Sequence, residues 1–240
     1  MLLATNNYAP TALSDFVFSD PNAEELLTDI VNGFQPFPAN GQNGILLYGP
    51  NGTGKSALAR LLPTFLEPGA SSSSPDICLY SIGVDGNGVD VIAKCVNKAM
   101  LITWEMKRHY FILDEVDNLS SSAMSALKNA MNIPGTVFIL TTNNLQKIEK
   151  GVQSRSHVIH MGSAPPQQWL PICKQILADQ CAVPPSDSTL LSLIAQGKGD
   201  ARATIGIAQR LARKRLAAGH VDHAALAIAK ADIASAPPTA

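Results

Sequence analysis

Charged residues are scarce in this chain of 240 residues: Asp, Glu, Lys and Arg make up 15% of it, against about a quarter in a typical soluble domain. The formal net charge is −1, so a broad non-specific surface for nucleic acid is absent, and any contact with DNA needs a local basic cluster. A surface with few charges is compatible with burial in an assembly. No apolar run has the length of a membrane span.

Cysteine is also rare and widely spaced. Cys78, Cys95, Cys173 and Cys181 form no C-x-x-C pair, so the sequence predicts reduced thiols and no zinc site. The N-terminus has neither the basic segment nor the long apolar segment of a secretory signal, and we expect a cytoplasmic protein.

What the chain does contain is a glycine-rich motif typical of phosphate-binding loops. Residues 49–56 read Gly-Pro-Asn-Gly-Thr-Gly-Lys-Ser and fit the P-loop pattern G-x-x-x-x-G-K-S/T. An apolar run at 45–48 precedes the motif and a helical pattern follows it, which is the strand–loop–helix setting of this loop. Glycines let backbone N–H groups turn towards an anion, and the start of the helix adds its positive dipole end.

The motif predicts a nucleotide site with a magnesium ion. Lys55 is placed to reach the β- and γ-phosphates, and the Ser56 hydroxyl is placed to bind Mg²⁺. The other predicted nucleotide contacts in the motif are Gly49, Asn51, Gly52, Thr53, Gly54 and Ala57. The alternative is a glycine-rich turn that matches by accident, and the flanking strand and helix argue against it.

Apolar strands and helical patterns alternate through the first two thirds of the chain, which is typical of a parallel sheet covered by helices on both faces. The predicted strands after the P-loop are 77–82, 110–113, 136–142 and 158–161. The predicted helices outside the P-loop unit are one that Asp20 and Pro21 open, 89–105 and 120–131.

Only helical patterns follow the prolines at 165–166. These patterns cover residues 168–180, 186–196, 200–217 and 222–234. We therefore expect an α/β nucleotide-binding domain over residues 1–163 and a small all-α domain over residues 164–240.

Polar residues follow two of the predicted strands. Asp114, at the carboxyl end of one strand, is placed to bind the Mg²⁺ held by Ser56, and Glu115 is placed to orient and deprotonate an attacking water. Asn143 follows the strand 136–142, and it lies next to the γ-phosphate if that strand neighbours the P-loop strand. Without other signals, polar residues after a strand are common in ordinary turns. The P-loop upstream favours a role for these residues in the nucleotide site.

Six motifs in sequence order resemble those of the AAA+ ATPases, and specifically the clamp-loader ATPase subunits of replication factor C and of phages. The likeness runs from about Tyr8 to Arg202. The motifs are 7–10 followed by Leu13, Asp15 and Phe16 (K-Y-R-P…D in the family), 83–92, 114–117 (D-E-A-D), Asn143 (sensor 1), 153–156 (Q-S-R-C) and 199–202 (G-D-x-R, sensor 2).

The resemblance implies a P-loop NTPase fold with a helical lid, ATP and Mg²⁺ as cofactors, and a homo- or hetero-oligomer. It implies that Tyr8 and Pro10 contact the adenine. Arg155 is implied to be an arginine finger that acts in trans on ATP bound by a neighbouring subunit, and Arg202 to touch the γ-phosphate in cis. A planar, permanently charged guanidinium suits a phosphoryl oxygen whose charge grows in the transition state. The alternative for Arg155 is an ordinary surface arginine.

By the same resemblance, one predicted helix lines the channel of a ring and follows the DNA backbone. Lys94 and Lys98 are four residues apart and share a face of that helix, and Lys128 is expected to join them. A solvated helix face explains these lysines equally well. A second basic cluster, at 210–215, is explained by favourable charge near a helix C-terminus. Trp104 and Trp169 are interpreted as packing or interface residues.

The sequence departs from the family at three points. Ala9 replaces an arginine, Ser156 replaces a cysteine, and the chain ends soon after the lid, so we expect no collar domain of the clamp-loader kind. A clamp-loader-type ATPase that loads or remodels a ring-shaped or other protein on DNA is the first interpretation. An AAA+ remodeller of a protein partner without a role on DNA is the second. A nucleotide-gated structural subunit is the third. The intact set of residues that argues against it is Lys55, Asp114, Glu115, Asn143 and Arg155.

Overall fold

The computed structural model describes residues 8–222, which divide into two compact units. One unit comprises residues 9–162, and the other contains residues 163–222 together with Tyr8. The first unit is a five-stranded parallel sheet with helices, and the second contains three helices. The predicted α/β class is confirmed. Within residues 8–222, no helix is long and apolar enough to cross a bilayer.

The strands of the first unit are all parallel. They are β1 (Gly44–Tyr48), β2 (Ile77–Ser81), β3 (His109–Asp114), β4 (Thr136–Thr142) and β5 (Ser156–His160), and they lie in the order β2-β3-β4-β1-β5. Since parallel strands bring their carboxyl ends to one edge, the loops after β1, β3 and β4 meet there.

The central strands are buried on both faces, as the continuous apolar runs predict. Leu46 and Phe138 belong to the core on one face of the sheet. Ile45 and Ile139, one position away, belong to the core on the other face, because successive side chains of a strand point to opposite sides. This double core holds β1 and β4 in register, with Tyr48 beside Thr142.

Helices connect these strands and cover the sheet. They are α1 (Pro21–Asn32), α2 (Lys55–Leu66), α3 (Val89–Ala99), α4 (Ser121–Ala130) and α5 (Lys150–Ser154), with 3-10 turns at Leu13–Asp15, Val116–Asn118 and Leu145–Lys147. Helix α1 starts as predicted: Pro21 is its first residue, and the Asp20 side chain accepts a hydrogen bond from the N–H of Asn22 at 3.0 Å.

Helix α3 ends at Ala99, six residues before the predicted end at Glu105. The cause is a carboxylate distant in sequence. The buried Asp76 side chain accepts hydrogen bonds from the N–H groups of Trp104, Glu105 and Met106 at 2.7–3.0 Å. These backbone groups are satisfied outside a helix, so the segment after Ala99 leaves the helical path.

The helical unit contains α6 (Pro166–Asp179), α7 (Asp187–Ala195) and α8 (Ala201–Ala217). Ser186 caps α7, and the Asp200 side chain caps α8 by accepting from the N–H of Ala203 at 2.8 Å. These helices agree with the predicted segments 168–180, 186–196 and 200–217. The predicted helix 222–234 extends beyond the described residues.

Candidate nucleotide-binding site

The P-loop connects β1 to α2 at the carboxyl edge of the sheet. Its three glycines all have a positive φ, which glycine adopts readily, and φ is +149° at Gly49 and +92° at Gly54. A Cβ atom on Gly49 would lie 2.1 Å from the carbonyl oxygen of Met161. Gly54 caps α2 without a side-chain hydrogen bond, so the first N–H groups of α2 keep their capacity to bind an anion.

Lys55 is the first residue of α2, and its side chain is held inside the P-loop. The Lys55 residue is 7% exposed, and its Nζ donates to the carbonyl oxygens of Gly49 at 2.8 Å and Pro50 at 2.6 Å. Burial lowers the pKa of Lys55, against the opposing effect of the negative charges of Asp114, Asp117 and Glu115. A buried ammonium inside a ring of backbone amides is suited to a phosphate group.

The two predicted magnesium ligands are in contact. The Ser56 hydroxyl donates to Oδ1 of Asp114 at 2.8 Å. Hydroxyl and carboxylate oxygens are ligands that Mg²⁺ accepts, and this ion usually takes few protein ligands beside water and phosphate oxygens. Residues 8–222 contain no group of three or more His, Cys, Asp or Glu side chains that could enclose a metal. The pair of Ser56 and Asp114 therefore fits a magnesium ion that is shared with a nucleotide.

Glu115 directly follows β3 and is exposed. Its backbone has φ +62° and ψ +49°, the left-handed region, which non-glycine residues occupy at a cost of about 1–3 kcal/mol, mostly at functional sites. The Glu115 N–H donates to Oγ1 of Thr141 at 3.0 Å, and Nδ2 of Asn118 donates to Oε2 of Glu115 at 3.3 Å. The backbone of the residue expected to act on water is thus held by Thr141, and its carboxylate is held by Asn118.

Asn143 follows β4, which pairs with β1 as the sequence analysis required. The N–H of Gly49 donates to the carbonyl oxygen of Thr142 at 3.2 Å, so the residue after β4 lies beside the start of the P-loop. The Asn143 N–H donates to Oδ1 of Asp117 at 3.4 Å. The role of the Asn143 amide towards a γ-phosphate stays a prediction.

Arg155 lies at the opposite end of the sheet, immediately before β5. Its carbonyl oxygen accepts from the N–H groups of Asn43 and Gly44, at the amino end of β1. The length of β1, about 13 Å, therefore separates this residue from the P-loop of its own chain. The guanidinium donates from Nε to Oδ1 of Asn132 at 3.0 Å and from Nη1 to the carbonyl oxygen of Gly151 at 2.9 Å.

Arg202 and Tyr8 belong to the helical unit. Arg202 is exposed in the first turn of α8, and within residues 8–222 its guanidinium forms no hydrogen bond or ion pair. The Tyr8 hydroxyl donates to the carbonyl oxygen of Ile176 at 3.5 Å. Pro10 is partly buried at the start of the other unit. The predicted contacts of these residues with ATP remain predictions.

The three lysines predicted to meet DNA differ in their surroundings. Lys128 forms an ion pair with Glu149, with Nζ and Oε1 2.5 Å apart. Lys94 is exposed and Lys98 partly exposed on α3, and no carboxylate of the described chain pairs with either. Lys94 and Lys98 are therefore free to meet a phosphate, whereas the charge of Lys128 is already neutralised.

Sequence reasoning missed the threonines at the end of β4. The Thr141 hydroxyl donates to Oδ1 of Asp114, and the Thr142 hydroxyl donates to Oδ1 of Asp117 at 2.9 Å. The two threonines at the end of β4 are polar residues in an apolar strand, but their role could be seen only from the strand order. Because β4 neighbours β3, the polar residues at the carboxyl ends of both strands lie side by side. Asn118 had no signal, because its contact with Glu115 depends on the unusual backbone at residue 115.

Comparison with known proteins shows which proteins the chain is similar to. Residues 45–162 match the ATPase family associated with various cellular activities (AAA). Replication factor C small subunit 2 of Pyrobaculum arsenaticum is 32% identical over 170 residues, which cover 69% of this chain and 51% of that protein. The replication factor C small subunit of Thermofilum pendens is 28% identical over 211 residues, or 86% of this chain and 62% of that protein. The chain thus spans about half to three fifths of these relatives.

Among solved structures, the Thermotoga maritima RuvB Holliday junction branch migration motor superposes with a TM-score of 0.63. That superposition covers 90% of this chain and 68% of RuvB at 20% identity. At this level of identity the likeness concerns the fold alone. The fold of the P-loop unit and the helices after it is therefore one that a known motor shares.

Proposed function

We propose that this chain, whose residues 45–162 belong to the AAA family of ATPases, hydrolyses ATP with Mg²⁺ as a subunit of an oligomer of the clamp-loader type. One observation carries the proposal. The P-loop, Asp114, Glu115 and Asn143 share one edge of the sheet, and Arg155 lies at the opposite edge. The length of β1 separates this arginine from the P-loop of its own chain, which supports a role towards a phosphate held by another subunit.

The surroundings of Arg155 support a role outside its own chain. Its guanidinium contacts two neutral oxygens, and no carboxylate within residues 8–222 pairs with it. A permanent positive charge without a counter-ion is available to an external anion. The proposed interface is head-to-tail and brings Arg155 of one subunit to the P-loop of the next.

In the proposed reaction, the glycine loop and Lys55 bind the phosphates, and Ser56 and Asp114 hold the metal. Bound Mg²⁺ neutralises charge on the phosphate oxygens. Glu115 accepts a proton from water, whose oxygen bonds to the γ-phosphorus while the bond to the bridging oxygen of ADP breaks. The partner subunit's arginine stabilises the charge that grows on the γ-phosphoryl oxygens.

An exposed apolar segment favours a protein as the partner on which the ATPase acts. Met100, Leu101, Ile102 and Trp104 are between 59% and 95% exposed after the end of α3, and consecutive exposed apolar residues of this size are typical of a docking surface. The three bonds to Asp76 hold this segment in place. We propose that the loaded or remodelled protein binds there.

Two observations favour the second candidate, a remodeller of a protein partner without a role on DNA. The net charge is −1, and Lys128 is paired with Glu149. ATPase rates with and without primed DNA separate the two candidates. Stimulation that weakens with salt supports action on DNA, and equal rates support the second candidate.

Subunit mixing tests the shared site. Lys55→Ala removes the phosphate-binding side of a site, and Arg155→Ala removes the finger side. In a random equimolar mixture, about a quarter of the interfaces join an intact P-loop to an intact arginine, provided the ring is head-to-tail. We expect each variant alone to be inactive and the mixture to recover about that fraction of the wild-type rate. Activity equal to the sum of the two variants at every ratio would contradict catalysis in trans.

A further inference from the structure

Thr141 is the buried residue that touches both predicted acids of the site. It is 1% exposed near the end of β4. Its hydroxyl donates to Oδ1 of Asp114 and accepts from the N–H of Glu115 at 3.0 Å. One hydroxyl group therefore uses its donor on the metal ligand and an acceptor position on the turn that carries the base.

The contact with Asp114 is shared, but the two donors have different tasks. Ser56 also donates to Oδ1 of Asp114, at 2.8 Å, and Ser56 is itself a candidate metal ligand. Thr141 has no such second task and sits on the rigid central strand of the sheet. The orientation of the Asp114 carboxylate thus has one support that does not depend on the metal.

The contact with Glu115 explains how an unfavourable backbone is maintained. Glu115 has φ +62°, which side chains with a Cβ atom adopt rarely. The hydrogen bond from its N–H to Thr141 fixes the peptide plane at the start of this turn. The next threonine acts elsewhere: Thr142 donates to Asp117 and accepts from the N–H of Asn144, both at 2.9 Å.

We propose that Thr141 is a positioning residue for ATP hydrolysis, which fixes the Asp114 carboxylate and the turn that carries Glu115. The proposal rests on the proposed function, in which these two acids serve the reaction. It assigns to β4 the task of holding the acids of β3 in place, in addition to carrying Asn143.

Thr141→Val tests the proposal because it removes the hydroxyl and nearly keeps the shape. We expect kcat to fall about 10- to 100-fold, as for the loss of residues that orient metal ligands, while the KM for ATP changes little because the P-loop is intact. The Mg²⁺ concentration that gives half the maximal rate should rise. Thr141→Ser keeps the hydroxyl and should restore kcat.

Thr136→Val is the matched control. Thr136 lies on the same strand, is also 1% exposed, and donates to the carbonyl oxygen of Ile133 at the other end of the sheet. The second readout is hydrogen exchange of residues 113–118 in the nucleotide-free protein. We expect the Glu115 amide to exchange faster in Thr141→Val, and to be unchanged in Thr141→Ser and Thr136→Val.

The proposal requires both the fall in kcat and the faster exchange of the Glu115 amide in Thr141→Val. It is overturned if either change does not occur. An equal loss of kcat in Thr136→Val also overturns it, because the effect would then belong to any buried hydroxyl of β4. Glu115→Gln separates this outcome from failure of the proposed function: an inactive Glu115→Gln beside a fully active Thr141→Val removes the role of Thr141 alone. If the wild type does not hydrolyse ATP, the proposed function fails, and hydrogen exchange decides whether Thr141 orders the turn.

Discussion

The polar residues at the carboxyl ends of the strands have different surroundings from those at the amino ends. At the carboxyl end, Lys55 is a buried cation and Glu115 has a strained backbone. At the amino end, Asn43 donates from Nδ2 to Thr136, and the Asp76 carboxylate accepts hydrogen bonds from three backbone N–H groups. The strained backbone thus occurs at the end that carries the predicted catalytic residues. At the other end, the buried carboxylate of Asp76 is satisfied by backbone N–H groups.

Arg155 is the exception at the amino end. It has a full positive charge there, and within the described residues its guanidinium donates only to neutral acceptors. The contrast between the two ends therefore suggests which residue is built for a second molecule. Four experiments test this difference between the two ends.

The largest effect is expected at Arg155. Arg155→Ala should lower the ATPase rate by about 10³- to 10⁵-fold, the range for loss of an arginine finger, and leave ATP binding by the same subunit intact. Steady-state turnover and equilibrium binding of a fluorescent ATP analogue measure the two quantities. Arg155→Lys should not restore the rate, because an ammonium lacks the planar fork. A wild-type rate in Arg155→Ala would make Arg155 a structural residue like its neighbours.

The next effect is expected at Glu115, on the opposite end. Glu115→Gln should lower kcat by about 10²- to 10⁴-fold, the usual contribution of a general base, while ATP still raises the melting temperature of the protein. Single-turnover hydrolysis with stoichiometric ATP measures the chemical step. If the glutamine variant hydrolyses ATP at the wild-type rate, another group accepts the proton and the strained turn serves a different purpose.

A stability effect without a kinetic effect is expected at Asp76. Burial raises the pKa of this carboxyl, but hydrogen bonds from Met106, Glu105 and Trp104 outweigh it and hold the pKa below the usual 3.8. A depressed pKa contributes stability that is present above the unfolded-state value and lost as the pH falls through the folded-state value. Acid should therefore destabilise this segment only below about pH 4.

Asp76→Asn is the variant for this test. It should lower the free energy of unfolding at pH 7 by about 1–3 kcal/mol, the range for a hydrogen-bonded charged group, and leave the basal kcat unchanged. Urea unfolding at pH 7 and at pH 3 measures the difference, which should shrink in acid. A large fall in kcat would show that the amino end also supports catalysis directly.

The smallest effect concerns DNA and the surface of α3. If DNA stimulates the ATPase, Lys94→Ala and Lys98→Ala should each reduce the salt dependence of binding by about one phosphate contact. Lys128→Ala should change it less, because Glu149 already pairs with that lysine. Binding isotherms at several salt concentrations give the slopes. Equal slopes for all three variants and the wild type would remove α3 from any DNA path.

The sequence predicted those parts of the site that depend on local pattern. The P-loop, the strand before it and Asp114 at the end of β3 could be read because apolar runs and glycine spacing are local signals. The end of α3 could not, since it depends on Asp76, more than twenty residues earlier. Met100, Leu101 and Ile102 continue the apolar composition of the helix, and only the tertiary contacts of Asp76 show that they lie outside it.

Thr141 illustrates a second kind of limit. Its position was read correctly as part of a buried strand, but its hydrogen bonds depend on which strand lies beside β4. Arg155 was found through a family motif, and the absence of an acidic partner could be seen only in the folded chain. Sequence patterns therefore identified the chemistry of this site, and strand order determined which residues support it.

The early end of α3 also has a practical consequence, because the exposed tryptophan that follows it can report binding by its fluorescence. Trp104 is 84% exposed and Trp169 is 6% exposed, and the two indoles belong to different units. Docking of a protein on the apolar segment would move the Trp104 indole out of water and shift its emission to shorter wavelength, and the emission of Trp169 would stay as an internal reference. Fluorescence of the unlabelled chain can therefore report docking directly.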